Sequence, residues 1–167
     1  MREAIGRLAA DGLVELLPNR GARVADISAD DMRAAYEARL VIEPAAAALA
    51  ARRRDAGALA AMRGAIAAHR AWTGDVRAAF NANRDFHVAL VAAAGNEFLV
   101  KFVEHLWARR IGLRIYEAQR GSAALIATDA DQHEAIAAAV EAGDARAAER
   151  LTREHIGGAM GTLLEHL

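Results

Sequence analysis

The sequence predicts an all-α protein: a six-helix antiparallel bundle preceded by one helix and a β-hairpin. Three observations carry this expectation. Alanine-rich composition, with only two prolines and few aromatic residues, favours helix over strand. Nearly everything after residue 27 reads helical, and glycines at 74, 95 and 143 fall where successive helices should end. The only β signal is confined to residues 13–25.

Each element has its own local reason. Ala4, Ile5, Leu8 and Ala9 share one helical face, and Gly12 follows as a left-handed cap. Leu13–Leu17, then Pro18-Asn19-Arg20-Gly21, then Ala22–Ala25 read as strand, turn, strand. Ser28 followed three residues later by Asp31 approximates a capping box, opening a helix to about Ala51 with a kink or break at Pro44. Further helices fit Ala56–Thr73, Val76–Ala94, Glu97–Arg120, Thr128–Ala142 and Ala145–Leu167, with Gly143 ending one and Asp144 capping the next. Two units follow, residues 1–26 and 28–167. The first buries too little surface to fold alone.

Composition narrows the function. The 167 residues are 54% apolar and 26% charged, which supports a packed core and argues against disorder. No cysteine is present, which excludes thiolate metal sites, disulfides and cysteine nucleophiles. The formal net charge of −1 is a poor footprint for a self-sufficient nucleic-acid binder. Apolar runs such as Ile42–Ala51 are too short to span a bilayer, and the expected location is the cytoplasm.

Of the six histidines, His133 and His155 have a purely geometric relationship. His133 lies ten residues before Gly143 and His155 eleven after Asp144. At about 1.5 Å per residue each stands roughly 15–16 Å from the turn, so antiparallel neighbours bring them to one height. His87 has Asn83 one turn earlier on its own face. His69, His105 and His166 read as ordinary surface or core residues.

The order of several short stretches is more specific than any one of them. Met1–Ile5, Leu8, Gly12-Leu13-Val14 and Pro18–Ala22 resemble the recognition helix and wing of GntR-type winged-helix transcriptional regulators. Tyr36-Glu37-Ala38-Arg39 with Glu43, Phe86-His87, Ala94-Gly95-Asn96, His133, Gly143-Asp144 and His155 resemble the FCD effector domain of the FadR subfamily. That resemblance implies a metabolite-responsive regulator, not an enzyme, acting as a homodimer on operator DNA. It also implies metal ligands at Asn83, His87, His133 and His155. The family often has Asp where Asn83 stands, so this set would leave the cation's charge uncompensated by a direct ligand. Imidazole donors suit a divalent ion, zinc first and nickel second.

A cation beside a buried arginine makes a receptor for a small carboxylate, and the family resemblance points to organic acids. Arg39, Arg110 and Arg114 are the candidate effector residues; the competing reading of Arg39 is a salt bridge to Glu43 at i+4. Arg109 and Arg110 are adjacent and cannot both face the core. Arg52-Arg53-Arg54 reads as a solvated helix end. Arg2, Glu3, Arg7 and Arg20 fall where the resemblance places contacts to DNA. Family members carry further helices before the recognition helix, so the head is expected to be incomplete here, through truncation or a start assigned too far downstream, and DNA binding weak or absent. Two rival readings remain: a metal-dependent hydrolase-like enzyme, against which no His-Glu-x-x-His or Glu-x-x-His motif occurs, and a ligand-free structural helical dimer.

Overall fold

A computed structural model of the chain describes residues 2–10, 14–18, 20–24, 28–108 and 123–164. Helix α1 (Arg2–Ala10) leads into an antiparallel hairpin, β1 (Val14–Leu17) and β2 (Gly21–Val24), with Val14 opposite Val24 and Leu17 opposite Gly21. The turn is closed by the Arg20 amide donating to the Leu17 carbonyl at 3.1 Å. Gly21 takes φ +85°, a left-handed conformation that a side chain would strain.

Six helices follow: α2 (Ala29–Arg53), α3 (Ala56–Arg70), α4 (Val76–Ala93), α5 (Glu97–Ala108), α6 (Ala123–Ala142) and α7 (Ala145–Leu164). The capping box is formed: Ser28 Oγ accepts from the Asp31 amide at 3.0 Å, and Asp31 Oδ2 accepts from the Ser28 amide at 3.3 Å. Aspartates cap α3 and α4, Asp55 accepting from the Ala58 amide and Asp75 from that of Arg77. Gly143, at φ +75°, turns the chain from α6 into α7.

Helix α2 is the axis of the bundle. It packs most extensively on α7 and also meets α4, α5 and α6. Ala46, Ala47, Ala50 and Ala51 are all buried along it, and their small side chains let neighbours approach closely. Around them the larger residues fill the core: Met62 and Ile66 from α3, Phe86 and Leu90 from α4, Ile136 and Val140 from α6. A second cluster joins Phe80, Val91, Val103, Trp107 and Ile126.

Several boundaries depart from expectation. Helix α6 begins at Ala123, not Thr128: the Thr128 hydroxyl donates back to the Ala124 carbonyl at 2.9 Å, so this threonine sits within the helix and does not cap it. Helix α3 ends at Arg70, because Trp72 instead turns its indole N–H to the Asp75 carbonyl. The later part of the helix expected over 97–120, with Arg109, Arg110 and Arg114, lies outside the described residues, as do Gly12 and His166.

Pro44 does not break α2, which continues through it to Arg53. A proline has no N–H, so the carbonyl one turn back, at Leu40, loses its helical donor. Arg153 of α7 supplies the replacement, its Nη1 donating to the Leu40 carbonyl at 3.2 Å. Removing it in Arg153→Ala should cost about 1 kcal/mol in urea denaturation. In a Pro44→Ala background the carbonyl regains its backbone donor, and the same substitution should then cost clearly less. Equal costs in the two backgrounds would rule out this account.

The arginine cluster ending α2 is exposed, yet not merely solvated. The Arg53 side chain occupies the space a Cβ at Gly95 would need, and Arg54 lies against Gly143. Cations thus sit at the C-terminal ends of α4 and α6, where helix dipoles favour them.

Candidate metal centre

Four helices converge on one group of side chains, buried except for the exposed Gln132. Helix α4 supplies Asn83 and His87, α6 supplies Gln132 and His133, α7 supplies His155, and α2 supplies Arg39 and Glu43. His87, His133 and His155 each offer a ring nitrogen within 4.8 Å of the others. The Nε2 atoms of His133 and His155 stand 3.2 Å apart, and those of His155 and His87 also 3.2 Å. The height arithmetic across the Gly143 turn therefore holds in space.

Partners on the far side of two rings fix their tautomers. The Glu43 carboxyl is driven upward by burial, but Arg39 and then His87 overcome this and hold it at about 2. It is a carboxylate, and can only accept. His87 Nδ1 therefore donates to Glu43 Oε2 at 2.6 Å, leaving a lone pair on Nε2. His155 Nδ1 lies 2.6 Å from Gln132 Oε1 and donates to it, leaving its Nε2 bare as well. Two bare lone pairs facing each other at 3.2 Å repel unless a cation or an N–H donor meets them. Nitrogens bound at about 2.0–2.1 Å to a tetrahedral zinc ion stand about 3.3 Å apart, close to the separations here.

A further buried donor is unspent. Asn83 Oδ1 has no hydrogen-bond partner among the described residues, and Asn83 shares a cavity with His87 and His155. An orphaned buried carbonyl oxygen is costly unless something polar meets it. The donor set fits a divalent cation: three imidazoles with an amide oxygen at hand, and a carboxylate–histidine pair behind one ligand. His133 is oriented differently, by stacking on Phe86 with centroids 3.8 Å apart.

Arg39 forms the salt bridge to Glu43 that its i+4 spacing suggests, and it also reaches His87. Its Nε donates to Glu43 Oε1 at 2.7 Å in a fully buried pair, while its Nη2 donates to His87 Nε2 at 3.2 Å. The guanidinium lies over the rings of Tyr36 and Trp107, 4.8 and 4.5 Å from their centroids. It lines a cavity of about 200 Å³ with Asn83, His87, His155, Thr128, Asp129 and Gln132, among others.

Glu43 and Gln132 are the residues that sequence reasoning passed over. Glu43 figured in the family resemblance and as a salt-bridge partner of Arg39, not as a partner of His87. Gln132 had a legible signal: it lies eleven residues before Gly143, as His155 lies eleven after Asp144. His69, read as ordinary, is fully buried with its ring 5.8 Å from that of His133. His105 is exposed.

The residues expected to face DNA are elsewhere. Glu3 and Arg7 on α1 are exposed and paired at 3.0 Å, Arg20 is exposed in the hairpin turn, and Arg2 opens α1.

Burial lowers all four buried histidines. His69 is pushed down to about 4, chiefly by desolvation and then by His87; desolvation also leads for His87, His133 and His155. The unfolded chain then binds more protons than the folded one below about pH 6.5, so stability falls as pH falls. Metal-free protein should lose roughly 1 kcal/mol per pH unit between about pH 6 and 4 from His69, and the other three histidines add to the loss in the same direction. Urea midpoints at pH 7.5, 6.0 and 5.0 measure this, and a flat series would refute it.

Comparison with known proteins gives the family and the fold. Residues 34–158 match the profile of the FCD domain, and the chain belongs to that family. It is 29% identical over 171 residues to the HTH-type transcriptional repressor GlaR of Escherichia coli (strain K12), covering 93% of this chain and 74% of that protein. The fold matches that of E. coli McbR/YncC with a TM-score of 0.86 at 22% identity, covering 100% of this chain and 84% of that one. A GntR-family transcriptional regulator from Pseudomonas syringae pv. tomato str. DC3000 superposes with a TM-score of 0.63 at 25% identity, covering 99% and 69%. The chain is a GntR-family transcriptional regulator with an FCD domain.

Proposed function

We propose that residues 28–167 form the effector-sensing domain of a FadR-type regulator, holding a divalent metal through His87, His133 and His155 with Asn83 completing the set. Residues 1–26 are then the recognition helix and wing. The observation that carries this reading is the convergence of three Nε2 atoms, two of them stripped of protons by Glu43 and Gln132. Zinc suits the donors best, with nickel second. When bound, the cation supplies a positive centre that attracts an anionic ligand.

The effector is a small organic acid. Glu43 and Arg39 cancel each other's charge, so neither offsets the cation's, and Arg39 lines the cavity where a carboxylate would lie. Thermal-shift measurement with lactate, succinate, citrate and sugar acids tests this on metal-loaded protein. An acid at 100-fold above its Kd adds about 2.7 kcal/mol, a shift of several degrees. Chelation should abolish it. A shift that survives chelation, or none with any acid, would defeat the proposal.

The active form is a cytoplasmic homodimer acting on operator DNA. Support for a dimer comes from Phe98 and Phe102, one turn apart and exposed on α5, and from exposed Val41 on α2. Light scattering at tens of micromolar should give twice the chain mass. Among the described residues no helix is long and apolar enough to cross a membrane. This chain alone is expected to bind DNA weakly, its net charge being −1 and Arg7 held by Glu3.

A further inference from the structure

We propose that Arg39 and the metal are alternative partners of a single lone pair, that of His87 Nε2, so that metal loading releases Arg39 to serve as the carboxylate's ligand. The inference rests on the metal reading above and adds an order of events to it.

The tautomer of His87 is the starting point. Its Nδ1 proton is committed to Glu43 Oε2 at 2.6 Å, so Nε2 has one lone pair and no proton. Arg39 Nη2 donates to that atom at 3.2 Å. One imidazole lone pair cannot accept an N–H and coordinate a cation together. Without metal, Arg39 therefore stabilises a ring that otherwise faces the bare Nε2 of His155.

Arg39 is anchored independently of this contact. Its Nε stays on Glu43 Oε1 at 2.7 Å, and its guanidinium is held over the rings of Tyr36 and Trp107. Losing His87 Nε2 therefore costs it one donor contact and leaves Nη2 seeking an acceptor. Because Arg39 lines the cavity, an anion entering there meets that donor. The two ligands then bind with positive coupling: metal strengthens carboxylate, and carboxylate, by occupying Arg39, strengthens metal by the same factor. Glu43 joins the halves, with one oxygen on Arg39 and the other on His87.

The test measures affinity for zinc alone by chelator competition in carboxylate-free buffer, then with millimolar lactate. Arg39→Lys keeps a positive charge opposite Glu43 but lacks the fork that spans Glu43 and His87. It should bind zinc about tenfold tighter than wild type, the equivalent of removing one charge-assisted hydrogen bond from the competing state. Lactate should tighten zinc binding to wild type clearly more than to Arg39→Lys. If Arg39→Lys does not fold, the charge-balanced pair Arg39→Met with Glu43→Gln keeps an acceptor for His87 and should bind zinc about tenfold tighter than Glu43→Gln alone. Unchanged or weaker zinc affinity in a folded variant overturns the inference, as does a wild-type affinity indifferent to lactate. A wild type that binds no zinc overturns the metal reading itself.

Discussion

Protein purified without a metal-affinity tag should carry one divalent ion per chain, and His133→Ala should carry none. Alanine at 133 removes one of three converging nitrogens from a site with no direct carboxylate ligand, so little affinity remains. Chelation should act on stability as well. A metal present at 1,000-fold above its Kd contributes about 4 kcal/mol to folding. For a chain of this length that corresponds to a melting shift of about 10 °C. Elemental analysis beside calorimetry, with and without chelator, reads both quantities. Equal metal content in wild type and His133→Ala would eliminate the site, and so would a melting point unmoved by chelation.

Glu43→Ala should be the most damaging substitution in the bundle. The carboxylate is wholly buried and serves two partners, the Arg39 guanidinium and His87 Nδ1. Its loss leaves a buried arginine without its counter-charge, a penalty of about 3–5 kcal/mol. It also frees His87 to rotate or change tautomer, which should weaken metal binding about 10–100-fold. Glu43→Gln separates these effects. The amide still accepts from His87 but no longer neutralises Arg39, so metal affinity should suffer less than with alanine while stability still drops. Urea denaturation and chelator competition on both variants give the comparison; a Glu43→Ala protein as stable as wild type would contradict the buried triad.

Helical patterning, caps and glycine stops exposed most of the bundle to sequence reading. The capping box at Ser28, the starts of α3, α4, α5 and α7 and the turn at Gly143 follow from local chemistry acting over a few residues. The start of α6 was hidden, because Thr128 carries the same hydroxyl whether it caps a helix or bonds back along one. In the site, the histidine pair across the turn was legible because one rise per residue fixes both heights. Glu43 was not, since its meaning depends on α4 lying beside α2, and the i+4 spacing to Arg39 suggested a purely local salt bridge. That salt bridge forms, but a five-donor fork also lets Arg39 reach His87 on another helix, which spacing along α2 does not reveal.

The proline in α2 has a bearing on the site that goes beyond helix stability. Its missing donor leaves one carbonyl of α2, at Leu40, marked out from its neighbours, and only a residue at one level of α7 can answer it. Arg153 does so two positions before His155. Leu40 in turn lies one residue after Arg39 and three before Glu43. A gap in one helix's own bonding thus acts as an index notch for the other: if α7 slid by a turn, Arg153 would leave its carbonyl and His155 would leave His87 and His133 together. The bundle keeps the three imidazoles in step by the same contact that repairs its backbone.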